Sequence, residues 1–241
     1  VKFTPEWQPK VICHRGANKI APENTLSAGH CAFAAGFSHF EVDVQITADK
    51  QLVVLHDQTV NRTTNDTGGV CKMTLAELRA LDAGSWFSPH FRGERLPTLD
   101  ETLELAKLYH GHLYIEFKSA PADLVWDRVV AHGLQDRCFF WSFVTQTLRD
   151  LRAYTTEANI MSRRQDFSTL DEATQFLSPA LIEYTVNDPW EDFSTLKDAG
   201  MPVMIAYNGA DISVFERIVE ARPDMVNVDQ PFIFARVAGD K

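Results

Sequence analysis

The chain has 241 residues, 45% of them hydrophobic, and a formal net charge of −10. That length suits one large domain with a substantial core. The negative balance excludes a broad nucleic-acid or anionic-membrane surface, so any phosphate site must gather positive charge locally. No apolar run reaches the roughly 18 residues of a membrane-spanning helix, so no stable membrane insertion is expected. The opening, VKFTPEWQPK, has no signal-peptide core. Cys13, Cys31, Cys71 and Cys138 show no Cys-x-x-Cys spacing and read as packing residues. Both observations point to a reducing, cytoplasmic setting.

In chain order, KVICHRG (10–16) is an apolar extended segment that ends on His14, Arg15 and Gly16. ENTLSAGHCAFAAG reads as a helix with Gly36 at its C-terminal stop. HFEVDVQIT (39–47) alternates like a strand. Residues 48–96 break the rhythm with a short extended QLVVLHD, a turn-rich TTNDTGGV, a short helix in TLAELRAL and an aromatic loop, DAGSWFSPHFRGERLP. Strands then recur at 112–119, 137–143, 159–164, 180–187, 202–208 and 224–230, with amphipathic helices between them. Repeated strand–helix–strand order implies parallel strands. The α/β class is therefore expected, as a single (β/α)8 TIM barrel over 1–241. A doubly wound open sheet is the structural alternative. Residues 48–96 follow the second strand and are expected to form a small inserted cap over the barrel's C-terminal mouth, where barrel enzymes hold their functional loops.

Two strands carry charge where a core strand should be apolar. In HFEVDVQIT, Phe40, Val42 and Val44 share one face, and Glu41, Asp43 and Gln45 share the other. In HLYIEFKS, Tyr114, Glu116 and Lys118 repeat the polar face. A solvated edge strand explains one such strand, but two adjacent ones would both need open edges. Carboxylates converging in one mouth repel, by roughly 4 kcal/mol at about 4 Å and an effective dielectric near 20. A divalent cation offsets that, and an all-oxygen set of Glu41, Asp43 and Glu116 suits Mg²⁺ or Ca²⁺. His14 and His56 each end a short apolar segment, VICH and LVVLH. Alone, either reads as a buried hydrogen-bonded histidine; together, beside the carboxylate strands, they read as an acid–base pair. His110, His112 and His132 read as surface residues at helix ends. Arg15 and Lys118 are candidate phosphate contacts. A cation, two positive side chains and two proton carriers point to phosphoester hydrolysis or phosphoryl transfer, and no P-loop or kinase glycine pattern is present.

The ordered set HRG (14–16), PENT (22–25), EVDVQITAD (41–49), LHD (55–57), NRTT (61–64), GSWFSPHFRGERLPTLDE (84–101), IEFK (115–118) and VDQP (228–231) resembles the glycerophosphodiester phosphodiesterase family. The resemblance implies a (β/α)8 barrel that hydrolyses a small-molecule phosphodiester to an alcohol and a phosphomonoester such as sn-glycerol 3-phosphate. It maps metal ligands onto Glu41, Asp43 and Glu116, the acid–base pair onto His14 and His56, and phosphate contacts onto Arg15 and Lys118. Residues 48–96 map onto the family's cap, with Trp86 and Phe87 as pocket-shaping aromatics. The sequence departs at MIAYNGAD (204–211), where many members carry Trp-Thr-Val-Asn, and at Val228, where a threonine is usual. That departure brings a sugar phosphodiester or a lysophospholipid into view as the alternative substrate. Two rival functions keep the barrel: a metal-dependent isomerase or aldolase with Lys118 as a Schiff-base lysine, and a degenerate barrel that only binds a phosphodiester.

Overall fold

A computed structural model describes residues 7–239, so residues 1–6 of the opening segment lie outside it. Nine strands occur among the described residues: β1 (Lys10–Cys13), β2 (His39–Ile46), β3 (Leu52–Val54), β4 (His112–Phe117), β5 (Cys138–Trp141), β6 (Asn159–Arg163), β7 (Leu181–Thr185), β8 (Val203–Tyr207) and β9 (Met225–Val228). All but β3 are parallel and follow one another around a ring that β1 closes by pairing with both β2 and β9. The helices are α1 (Leu26–Ala34), α2 (Leu75–Arg79), α3 (Leu99–Leu108), α4 (Ala122–Ala131), α5 (Thr145–Tyr154), α6 (Leu170–Leu177), α7 (Phe193–Asp198), α8 (Ile212–Ala221) and α9 (Pro231–Gly239). This is the (β/α)8 barrel expected from the alternation.

Side-chain alternation sorts the layers. Phe117 stacks on Phe140, and Phe140 meets Trp126 of α4 edge-on, which ties the outward face of β4 and β5 to the helix layer. On the inward face, Asp43 stands opposite Glu116 and Glu41 opposite Tyr114 in the β2–β4 register. Tyr114 stacks on Phe139 at 4.6 Å and fills the barrel interior. The polar set therefore points inward because strand period two leaves it nowhere else to go.

The first loop is tighter than the sequence suggests. PENT is not part of α1: Asn24 has φ 56°, which breaks a helical path, and Thr25 caps the helix by accepting from the Ala28 N–H. Gly16 turns at φ 80°, and a Cβ there would lie 2.7 Å from the Ala28 Cβ. Its glycine is thus required by the close approach of the loop to α1.

Within 48–96, β3 pairs antiparallel with the end of β2, Val54 opposite Val44. A capping box of Thr74 and Glu77 starts α2. Val53, Leu55, Val60, Val70, Leu78, Leu81, Ala83 and Leu96 form a small core of their own. The Ser27 hydroxyl, donating to Glu94 at 2.6 Å, ties this segment to α1. Two readings change. His112 opens β4 and stacks on His39 at 4.4 Å, away from any helix end. Cys71 is exposed, whereas Cys13 and Cys138 are buried. Among the described residues no helix is long and apolar enough to cross a membrane.

Candidate active site

Glu41, Asp43 and Glu116 are buried, and one carboxylate oxygen from each lies within 4.8 Å of the others. Burial, with Asp43 and Glu116 as neighbours, pushes Glu41 well above the usual carboxylate range. Burial and Asp43 push Glu116 up to about 7, against the lowering pull of Lys118. Glu41 Oε1 is buried with no hydrogen-bond partner. Desolvated, mutually repelling carboxylates with an unpartnered oxygen are what a hard cation's site looks like before its charge is counted. The residues present therefore fit a divalent cation.

The β1–α1 loop delivers the next two side chains. Arg15 has φ 55°, a costly left-handed conformation for a non-glycine residue. It is held there because its N–H donates to Glu41 Oε2 at 2.8 Å and its carbonyl accepts from the Asn24 N–H at 3.0 Å. Asn24 in turn donates to Asp43 Oδ2 at 2.7 Å and accepts from the Asp43 N–H. The Arg15 Nε lies 3.5 Å from Asp43 Oδ2, and its Nη1 donates to Glu23 Oε1 at 2.9 Å. Lys118 bonds Glu116 and sits 3.1 Å from Asp43 Oδ1. Burial alone would lower the Lys118 ammonium, but Asp43 and Glu116 hold it above the ordinary lysine value. Ion-paired to both Asp43 and Glu116, Lys118 stands as a charged partner of those carboxylates, which favours that role over a Schiff-base amine.

Both histidines are held by carboxylates. The His14 Nδ1–H donates to Asp229 Oδ1 at 2.6 Å, and its Nε2 lies 3.9 Å from Glu41. Asp229 also accepts from Asn18 and Lys19. These partners hold its carboxyl well below the usual range although burial opposes them. The His56 Nδ1–H donates to Asp57 Oδ1 at 2.6 Å. Burial lowers the His56 imidazole, partly offset by Asp43 and by the Asp57 bond. Arg62 clamps Asp57 and Glu23 together, linking the two histidine-bearing loops. Gln45 fixes the same loop by donating to the Leu55 and Asp57 carbonyls. Each imidazole thus commits Nδ1 to a carboxylate and leaves Nε2 for proton transfer.

The structure brings together the seven side chains named from sequence for the metal, the phosphate and proton transfer: His14, Arg15, Glu41, Asp43, His56, Glu116 and Lys118. Sequence reasoning left Asp57, Asp229, Arg62 and Gln45 without roles. Asp57 adjoins His56 in LHD, which was an available signal. Asp229 acts across the β1–β9 seam, 215 positions from His14. Trp86 and Phe87 pack edge-on against each other, and Phe87 against Phe91. Tyr207, in the departing MIAYNGAD segment, turns its ring onto Phe215 of α8, and its hydroxyl accepts from the Asp211 N–H. The departure therefore places its large ring in the outer layer.

A glycerophosphodiester phosphodiesterase of Caldanaerobacter subterraneus subsp. tengcongensis is 40% identical over 148 residues, 59% of this chain and 61% of that protein. The chain spans about that fraction of the curated relatives it matches first, 57% in a Bacillus subtilis relative 43% identical over 141 residues. A crystal structure of glycerophosphodiester phosphodiesterase from Agrobacterium tumefaciens superposes with a TM-score of 0.88 at 33% identity, covering 95% of this chain and all of that one. An Oleispira antarctica phosphodiesterase, solved in complex with the product sn-glycerol-3-phosphate, superposes with a TM-score of 0.84 at 29% identity, covering 95% and 96%. A family model matches residues 14–176, a span holding both histidines, both cations and the acidic cluster, and the chain accordingly belongs to the glycerophosphoryl diester phosphodiesterase family.

Proposed function

We propose that this chain is a metal-dependent phosphodiesterase that hydrolyses a glycerophosphodiester to an alcohol and sn-glycerol 3-phosphate. The observation that carries the reading is the buried Glu41–Asp43–Glu116 cluster, flanked by two carboxylate-held histidines. The product complex of the Oleispira antarctica relative supports the product assignment. Glu41, Asp43 and Glu116 would hold Mg²⁺ or Ca²⁺, which supplies Lewis-acid stabilisation of the phosphoryl oxygens. Arg15 and Lys118 neutralise the remaining charge that grows on those oxygens. One of His14 and His56 takes at Nε2 the proton of the attacking group, either water or a neighbouring substrate hydroxyl whose cyclic phosphate is then opened by water. As the new P–O bond forms and the bond to the alcohol breaks, the other gives its Nε2 proton to the departing alkoxide. Asp229 and Asp57 stabilise whichever imidazole becomes charged. Residues 48–96 act as a cap that presents His56.

Glycerophosphodiester turnover with Mg²⁺ or Ca²⁺, before and after thorough EDTA dialysis, tests the reading. Activity should vanish with the metal and return on its addition. His14→Ala and His56→Ala should each lose about 10²–10⁴-fold. Full turnover after dialysis, or near-normal turnover in both variants, would overturn the assignment.

A further inference from the structure

One wall of the mouth carries a cation that the proposed reaction does not use. Arg163 ends β6, and its Nε donates at 2.9 Å to Glu183, its register partner on β7. The guanidinium carbon lies 3.8 Å from the Trp141 ring centroid and 4.7 Å from that of Phe143. Trp141 stands in register with Glu116 of the acidic cluster. The Lys118 Nζ is 5.3 Å from the same Phe143 ring. Arg163 therefore shares a ring with a side chain assigned to the phosphate, which places it beside whatever the phosphate is esterified to.

Three features make this wall a site and not a chance ion pair. With Nε engaged by Glu183, the terminal N–H donors of the fork are the ones presented to an incoming oxygen. Trp141 is 1% exposed, yet its indole N–H is buried without a hydrogen-bond partner. Phe143 is 67% exposed, a large ring left uncovered beside two cations. We propose that Arg163, Trp141 and Phe143 form a subsite for a hydroxyl-bearing half of the diester, with Arg163 selecting for oxygen acceptors there. The inference rests on the phosphodiesterase reading. The rings and Glu183 hold the planar guanidinium in place, so little rotamer freedom is lost when a hydroxyl docks. The same positive fork disfavours a quaternary ammonium or a bare apolar group in that position.

Steady-state kinetics, run with saturating Mg²⁺ and again with saturating Ca²⁺, on glycerophosphoglycerol and on bis(p-nitrophenyl) phosphate, which has no hydroxyl, test the subsite. In Arg163→Met the ratio of kcat/KM, glycerol diester over aryl diester, should fall about 10–100-fold, chiefly through KM. Arg163→Met leaves Glu183 unpaired, so Arg163→Met/Glu183→Gln is measured alongside and should show the same fall. An unchanged ratio in both variants, or equal losses on both diesters, would overturn the subsite. Wild-type turnover of neither diester would instead overturn the proposed reaction, and the subsite with it.

Discussion

Asp229→Asn is the sharpest probe of how the site works. The change removes one oxygen's charge and keeps the side chain's size. In the wild type, the His14 Nδ1–H donates to Asp229 Oδ1 at 2.6 Å, in a setting where only 15% of the Asp229 side chain is exposed. A hydrogen bond to a charged group at a partly buried site is worth about 1.5–3 kcal/mol. With His14 as the base, the bond gains strength as the ring becomes an imidazolium, so the loss falls on the transition state and not on substrate binding. At about 1.4 kcal/mol per factor of ten, kcat should drop about 10–150-fold while KM stays within a factor of about three. Lys19, the other cation on Asp229, is 45% exposed and returns to water at little cost. A thermal melt should therefore move by only a few degrees. The assay is metal-saturated glycerophosphodiester hydrolysis, run beside the melt. If Asp229→Asn keeps kcat within threefold, His14 does not depend on a charged partner and its assigned role is wrong.

Other expectations follow from the loop and from the N-terminal end of the barrel. Gly16→Ala puts a methyl 2.7 Å from the Ala28 Cβ at a φ of 80°, and should cost about 2–4 kcal/mol in chemical denaturation. Wild-type stability in that variant would contradict the close approach of loop to helix. Arg62→Met frees Asp57 and Glu23 from their shared clamp and should lower kcat severalfold with the melt nearly unchanged; an unaltered kcat counts against the clamp. His39 is 4% exposed, and burial, with His112 and Lys10 nearby, lowers its imidazole from 6.5 to about 3. The unfolded chain therefore binds this proton first as pH falls, so stability is full above about pH 6.5 and declines toward pH 3. The loss at pH 5 is of order 2 kcal/mol. His39→Gln should flatten that slope in pH-dependent denaturation, and an identical slope would refute the assignment.

What could be read in the sequence, and what could not, divides along sequence distance. Glu41, Asp43 and Glu116 were legible because strand period two assigns faces locally, and adjacent strands of a parallel barrel bring like faces together. The MIAYNGAD departure was legible only at the level of the segment; its Tyr207 is in register with Val228, on the face turned toward the helices. PENT read as helix because its composition suits a helix start, and nothing local reveals that Asn24 adopts φ 56° to reach Asp43.

The partners of the two histidines show the limit most clearly. Asp57 follows His56 directly, so that dyad is local. Asp229 meets His14 only because β9 closes against β1, with Cys13 opposite Val228 in the last rung of the seam. The His14 N–H also donates to the Val228 carbonyl at 3.1 Å, so the backbone that ends the barrel positions the residue that begins the site. One proton carrier is thus complete when the β2–β3 segment folds, and the other only when the whole ring has closed. Closure is a property of the ring as a whole, since no strand pair fixes it alone. The chemistry proposed here therefore depends on the final strand even though the family match on this chain ends at residue 176.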